Sequence, residues 1–197
     1  ADSGLILDGE PLVESGGEVA GVPIALPRVL VDTVSAGGGS IGWIDDGGAL
    51  RVGPRSAGAM PGPAAFGRGG TQPTVTDANL VLGRIVAHRM SGGVALNVDG
   101  ARRAIETLSH GLGASTERTA LAMLNIADAE MARALRRVSV DRGVDPRSCV
   151  LMAFGGGGPL HACALADLIG ATRVLVPPHA GVLSALGLAM APERREV

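Results

Sequence analysis

The residues with the types and spacing to do chemistry concentrate in one stretch, SCVLMAFGGGGPLHACALA, residues 148–166. The apolar run over 149–154 has the length and character of a strand buried on both faces, as in a parallel sheet. It ends in Gly155, Gly156, Gly157 and Gly158, followed by Pro159 and an alanine-rich segment. Glycine opens backbone angles closed to other residues and lets a ligand approach the main chain. Pro159 suits the first turn of a helix, where its missing N–H costs nothing. Strand, glycine loop and helix start together make an anion site, with free amides and the positive end of the helix dipole facing whatever lies over the loop. The favoured ligand is a nucleotide; the alternative is a tight strand-to-helix turn with no ligand. Each glycine costs roughly 0.5–1 kcal/mol of backbone entropy, so a run of them favours binding.

A second glycine loop, Ser35-Ala36-Gly37-Gly38-Gly39-Ser40, precedes an apolar alternation. Further on, Thr76-Asp77-Ala78-Asn79-Leu80 reads as a helix start, in which Thr76 or Asp77 caps the orphan amides. Arg55 and Arg68 lie in a loop-like stretch over 53–74, where a solvated surface role suffices for each. Several chemistries are excluded. All 17 basic residues are arginine and there is no tyrosine, so a phosphate-binding or Schiff-base lysine and a catalytic tyrosine are absent. His88, His110, His161 and His179 show no ligand spacing, and Cys149 and Cys163 read as small buried hydrophobes. A net charge of −2 without a basic tract argues against nucleic acid as a partner. No signal peptide and no apolar run of membrane length stands out, so the chain reads as cytoplasmic with no membrane contact.

The elements that must position these residues follow from pattern. With 46% hydrophobic but only 2% aromatic residues, the core must be aliphatic and rich in alanine. Asp8-Gly9 joins two short apolar runs as a hairpin turn, and Asp46-Gly47-Gly48 does the same between 41–45 and 49–52. The run 29–31 is a further strand candidate. Helices are expected over 99–112 and from Ser115 to about Arg142, the latter with Leu121, Leu124, Ala127, Met131, Leu135 and Val138 in one stripe. After the 155–159 loop, helix 160–169, strand 173–176 and helix 180–191 complete a βαβα unit with a right-handed crossover.

Three stretches together resemble the hydantoinase A/5-oxoprolinase family: VSAGGGSI at 34–41 with GPAAFGRGG at 62–70, PTVTDANLVLG at 73–83, and 131–162 through FGGGGPLHA, closed by GVLSALG at 181–187. The resemblance covers nearly the whole chain. Members commonly carry His where Asp32 stands, Cys-Tyr where Ala65-Phe66 stand, and Ala where Gly157 stands. By that resemblance the fold is α/β, a ribonuclease-H-like (actin-like ATPase) lobe with a mixed sheet and flanking helices. Residues 1–197 would be the C-terminal lobe of a larger ATPase domain and an incomplete fragment of it. Residues 53–145 would form a loop-plus-helical insertion between N-terminal hairpins and the 148–191 βαβα unit.

The resemblance also implies function. It implies ATP with Mg²⁺ as cofactors, with Gly155, Gly156, Gly157, Gly158 and Pro159 as the adenosine loop and Gly37, Gly38, Gly39 and Ser40 as a second nucleotide-binding loop. It makes Asp77 a candidate catalytic carboxylate, holding Mg²⁺ or a water at the exit of the long loop, beside its capping role. The implied reaction is ATP-dependent opening of a cyclic amide of the hydantoin or 5-oxoproline type, by phosphorylation of its carbonyl oxygen. The alternatives are a subunit of an ATP-dependent ketone carboxylase and a non-catalytic nucleotide-binding assembly lobe. The implied partner is a hydantoinase B-type second subunit or domain.

Overall fold

The computed structural model describes residues 1–19, 21–87 and 95–191; His88 lies outside them. The chain divides into two compact units, Ala1–Asp145 and Pro146–Val197.

In the first unit, β1 (Asp2–Gly4) is followed by the tight hairpin of β2 (Ile6–Leu7) and β3 (Glu10–Pro11). Asp8 (φ 52) and Gly9 (φ 86) form its turn, and their paired positive φ values are those of a type I′ turn, which Asp-Gly favours. A longer ribbon, β4 (Val13–Val19) with β5 (Val22–Val29), comes next, and β6 (Val31–Thr33) returns to pair antiparallel with β1. Strand β4 carries Ser15, Gly16 and Gly17 at a register shift, a composition that hides a strand from pattern reading. Pro23 and Pro27 fit β5 because a two-stranded ribbon leaves one edge unpaired. The hairpin expected around Asp46-Gly47-Gly48 forms as β7 (Ser40–Ile44) and β8 (Leu50–Ser56), and Trp43 Nε1 donates to the Gly53 carbonyl at 2.7 Å.

Three helices complete this unit: α1 (Val75–Val81), α2 (Val98–Leu112) and α3 (Thr116–Ser139). Each starts on a side-chain oxygen that accepts a first-turn amide: Thr74 from Asp77, Asn97 from Gly100 and Ser115 from Arg118. The cap of α1 is therefore Thr74, two residues before the earliest one expected. Its capping box runs from Thr74 to Asp77, so Asp77 is the third helical residue. The 3-10 turn Val140–Arg142 prolongs α3, and Gly143 ends it at φ 77. The helices pack on one another and on the β7–β8 hairpin. Strand β7 comes so close that a methyl group on Gly42 would lie 2.7 Å from Met123 Cε. Ile41, Val75, Ala101, Ile105, Met123 and Leu124 form the floor of this aliphatic core. The segment 53–145 and the hairpins before it thus share one unit.

The second unit runs β9 (Val150–Met152), α4 (Gly158–Ile169), β10 (Arg173–Leu175), the 3-10 turn Ala180–Val182 and α5 (Leu183–Met190). Strands β9 and β10 are parallel, with Val150, Leu151 and Met152 opposite Arg173, Val174 and Leu175, and α4 is the crossover between them. This is the expected βαβα unit. Two expectations are corrected. Strand β9 is not buried on both faces: Val150 is 44% and Met152 38% exposed. An apolar run signals that burial is needed; β9 packs against β10 and α4, and these leave Val150 and Met152 part exposed. The cysteines are not both buried either: Cys149 is half-buried and Cys163 exposed on α4. Among the described residues every sheet has two strands, so a wider mixed sheet is not formed within them. No helix among the described residues is long and apolar enough to cross a membrane.

Candidate functional site

The 155–159 loop sits at the C-terminal end of β9 and opens α4, with Gly157 as N-cap and Pro159 in the first turn. Unlike α1, α2 and α3, α4 has no side chain accepting its first amides. Pro159 carries no N–H and the Leu160 N–H bonds the Gly157 carbonyl at 3.0 Å, so of the first three helical residues Gly158 alone can offer its N–H, with the positive end of a 12-residue helix, to an acceptor outside the helix. Gly155 is glycine for a local reason, φ 81. Gly156 and Gly157 are not: a methyl group on either would meet no other atom within 4 Å, and Gly157 has φ −114. Nothing in the described structure crowds these two positions, and the space over them is open.

The C-terminal end of β10 borders the same loop. Ala153 N–H donates to the Leu175 carbonyl at 2.9 Å, and Gly155 N–H to the Ala180 carbonyl at 2.8 Å. The turn after β10, with His179 at φ 59, is stitched to the glycine loop in this way. Phe154, 44% exposed, opens the glycine loop. The sequence reading assigned no role to Phe154 or His179. Both lie in the loops that leave the C-terminal ends of parallel strands, Phe154 two residues after β9 and His179 four after β10.

The other glycine loop is closed by its own chain. A methyl group on Gly38 would lie 2.7 Å from Thr76 Oγ1, and one on Gly39 2.7 Å from Ser56 Oγ. Ser40 Oγ accepts from Gly37 N–H at 3.0 Å and donates to the Ser35 carbonyl at 3.0 Å, while Ser40 N–H bonds the Gly37 carbonyl at 2.9 Å. The Gly38 carbonyl accepts from Thr76 N–H at 2.8 Å and the Gly39 carbonyl from Ala57 N–H at 2.8 Å. Close packing against α1 and the end of β8 accounts for Gly38 and Gly39.

Asp77 is fully buried. Its Oδ1 accepts from Ala65 N–H at 2.7 Å; its Oδ2 accepts from Thr74 N–H at 2.8 Å and Thr74 Oγ1 at 2.7 Å. Burial raises its carboxyl above the usual range, while hydrogen bonds from Thr74, Ala65 and Ala64 work in the opposite direction. The carboxylate therefore ties the 3-10 turn Ala64–Phe66, in the middle of the long loop, to the start of α1. Asn97 N–H donates to the Ala65 carbonyl at 2.7 Å and ties the same turn to α2. Arg68 lies 5.9 Å over the Phe66 ring. A groove of about 660 Å³ lies elsewhere in the first unit, between Trp43, Leu50 and Val52 of the hairpin and Ile126 and Arg133 of α3. Among the described residues no cluster of three or more His, Cys, Asp or Glu side chains has the arrangement of a metal site.

The family model for hydantoinase/oxoprolinase matches residues 1–197. The caprolactamase subunit alpha of Pseudomonas jessenii is 46% identical over 83% of this chain and 24% of its own length. The crystal structure of the ATP-dependent caprolactamase from that organism superposes with a TM-score of 0.77 at 45% identity, over 84% of this chain and 24% of that one. The 5-oxoprolinase 1 of Arabidopsis thaliana is 36% identical over 92% of this chain and 16% of its own length. A nucleotide-free acetone carboxylase structure superposes with a TM-score of 0.86 at 32% identity, over 96% of this chain and 27% of that one. The chain thus spans less than a third of the length of these relatives.

Proposed function

The chain belongs to the hydantoinase/oxoprolinase family, and from that premise we propose that it is part of an ATP-dependent enzyme that opens a cyclic amide. The observation that carries the reading is the 155–159 loop: open space over Gly156 and Gly157, and a helix start with no side-chain cap. These features fit a nucleotide, which needs close main-chain approach and amide donors. ATP, when bound, supplies the phosphoryl group that converts the amide carbonyl oxygen into part of a leaving group. The chain's own contribution is to bind and orient. The Gly158 N–H and the positive end of the α4 dipole offer the ligand fixed partial positive charge, which needs no reorganisation when charge develops. We assign nucleotide binding to Gly155, Gly156, Gly157, Gly158 and Pro159 rather than to Gly37, Gly38, Gly39 and Ser40, because Thr76 and Ser56 fill the Cβ positions of Gly38 and Gly39 and the Ser40 hydroxyl is bonded within its own loop.

Asp77 enters this proposal as a positioning residue. Its oxygens are taken up by Ala65 and Thr74, so it serves turnover by holding the long loop. Mg²⁺ is proposed to travel with the nucleotide, held chiefly by phosphate oxygens, as that ion commonly is. The parallel β9–β10 pair and its α4 crossover support an actin-like, ribonuclease-H-like architecture for the lobe. The subunit naming of the caprolactamase relative supports a partner, proposed as a hydantoinase B-type subunit or domain. A cytoplasmic location belongs to the same proposal.

A carboxylase reading is favoured by one observation, the close superposition on acetone carboxylase. The assay that separates the readings uses the full-length protein with its partner. ADP release is followed with hydantoin, 5-oxoproline or a lactam, and separately with acetone or acetophenone plus bicarbonate. Turnover dependent on a cyclic amide supports the hydrolase; turnover dependent on ketone and bicarbonate replaces it with the carboxylase. ATP binding without turnover on any of them leaves an assembly lobe.

A further inference from the structure

Within α3, Ile126, Ala129, Glu130 and Arg133 stand at steps of three, one and three, which puts them on one helix face. That face and the β7–β8 hairpin bound the groove of about 660 Å³, a size within the range of small-molecule sites, roughly 300–1,000 Å³. Trp43, Leu50 and Val52 of the hairpin supply its apolar lining together with Ile126. Trp43 is the only tryptophan of the chain and is 40% exposed, so core packing does not account for it. Its bond from Nε1 to the Gly53 carbonyl at 2.7 Å holds the ring in one orientation beside the groove. The charged lining comes chiefly from α3, where Arg133 Nη1 donates to Glu130 Oε1 at 2.7 Å. Both side chains are part exposed, and such a pair contributes little to stability. The bond uses one oxygen of Glu130 and one nitrogen of Arg133; the other oxygen and the other guanidinium N–H groups remain to accept and to donate. Arg51, the cross-strand partner of Trp43, adds a second cation, itself paired with Asp45.

We propose that this groove is a binding site for a free α-amino acid with an apolar side chain. Such a ligand carries an ammonium and a carboxylate on one carbon, and Glu130 and Arg133 offer the complementary charges in contact with each other. The ammonium bonds the remaining Glu130 oxygen, the carboxylate bonds Arg133, and the side chain lies along Trp43, Leu50, Val52 and Ile126. A plain organic anion would meet the like charge of Glu130. A neutral apolar ligand would take water from both charges and return no partner to either. A zwitterion with an apolar tail satisfies the whole lining. The groove lies within the first unit, and its ligand does not depend on the nucleotide reading of the 155–159 loop.

The test is calorimetric titration of the full-length protein with L-leucine and with three compounds that each lack one of its parts. Glycine lacks the apolar side chain, 4-methylpentanoate the ammonium, and 3-methylbutylamine the carboxylate. The variants are Glu130→Gln and Arg133→Gln, which remove the charges, and Ala129→Leu, which fills the groove and leaves the charges in place; each is also melted. The expected result is saturable leucine binding at millimolar concentration or below. Each analogue on the wild type, and leucine on each variant, should bind about tenfold more weakly or worse, with melts unchanged. Absence of saturable leucine binding overturns the inference, and so does wild-type leucine affinity in all three variants, which would put the amino acid elsewhere. 4-Methylpentanoate binding as tightly as leucine overturns it in favour of a plain carboxylate site. If Glu130→Gln or Arg133→Gln melts early, Ala129→Leu decides: weakened leucine binding upholds the inference and wild-type affinity overturns it. If leucine does not bind and Ala129→Leu changes the oligomeric state on size-exclusion chromatography, the groove is a protein contact and the inference fails.

Discussion

Replacing Asp77 with Asn exchanges one carboxylate oxygen for an amide group inside a fully buried site. The wild-type carboxylate accepts from Ala65 N–H through Oδ1, and from Thr74 N–H and Thr74 Oγ1 through Oδ2. Asparagine has a single acceptor oxygen. If that oxygen faces Ala65, its NH₂ group points at the Thr74 N–H; flipped, it orphans Ala65 instead. The Thr74 hydroxyl can turn to accept, but one buried main-chain donor is lost in either orientation. Such a loss costs about 1–3 kcal/mol, which corresponds to about 5- to 150-fold in a local opening equilibrium. The measurement is hydrogen exchange on the full-length protein, read over peptides covering 57–77. Faster exchange confined to this segment, with a matching fall in turnover, is the expected outcome. Unchanged exchange over 57–77 would refute the clamp, and normal exchange with abolished turnover would return Asp77 to direct chemistry.

Other perturbations follow from the same geometry. Burial holds the Asp77 carboxyl above its unfolded value of about 3.9. The stability it contributes is therefore full below that pH and fades as pH rises through the folded value. The cost of Asp77→Asn is accordingly larger at pH 4 than at pH 8, which paired denaturation curves at the two pH values check. Gly53→Ala places a methyl group 2.8 Å from the Ser35 carbonyl oxygen at φ 71, and should cost about 1–3 kcal/mol. Gly157→Ala, in open space at negative φ, should leave the melting temperature unchanged. The 197-residue chain alone, a fraction of its relatives' length, is expected not to turn over ATP. Steady hydrolysis that survives repurification contradicts that expectation.

Helices were the most legible part of this sequence, because their stripes and stops are local. Ser115 and Gly143 mark the ends of the long helix and its 3-10 extension as read. The start of α1 was misplaced because Thr74 and Asp77 act jointly, and the residue that looks like a cap is the returning carboxylate of the box. Strand β4 was missed because its glycines mark a register shift rather than a loop. The exposure of β9 shows a different limit: an apolar run reports a need for burial, not which neighbour meets it. At the site, the two glycine loops look alike in sequence. The structure separates them by what fills the missing Cβ positions: Thr76 and Ser56 over Gly38 and Gly39, open space over Gly156 and Gly157. That difference depends on residues far apart in the chain and has no local signature.

The central claim is that the 155–159 loop holds the nucleotide, and the measurement that bears on it most directly is ATP affinity in Gly157→Val and Gly157→Ala forms of the full-length protein. The account predicts that Ala binds as wild type, that Val loses ATP, and that both melt normally, because apart from the adjoining backbone nothing in the described chain lies within 4 Å of a Cβ at this position. A Gly157→Val protein that melts normally and binds ATP with wild-type affinity would contradict it.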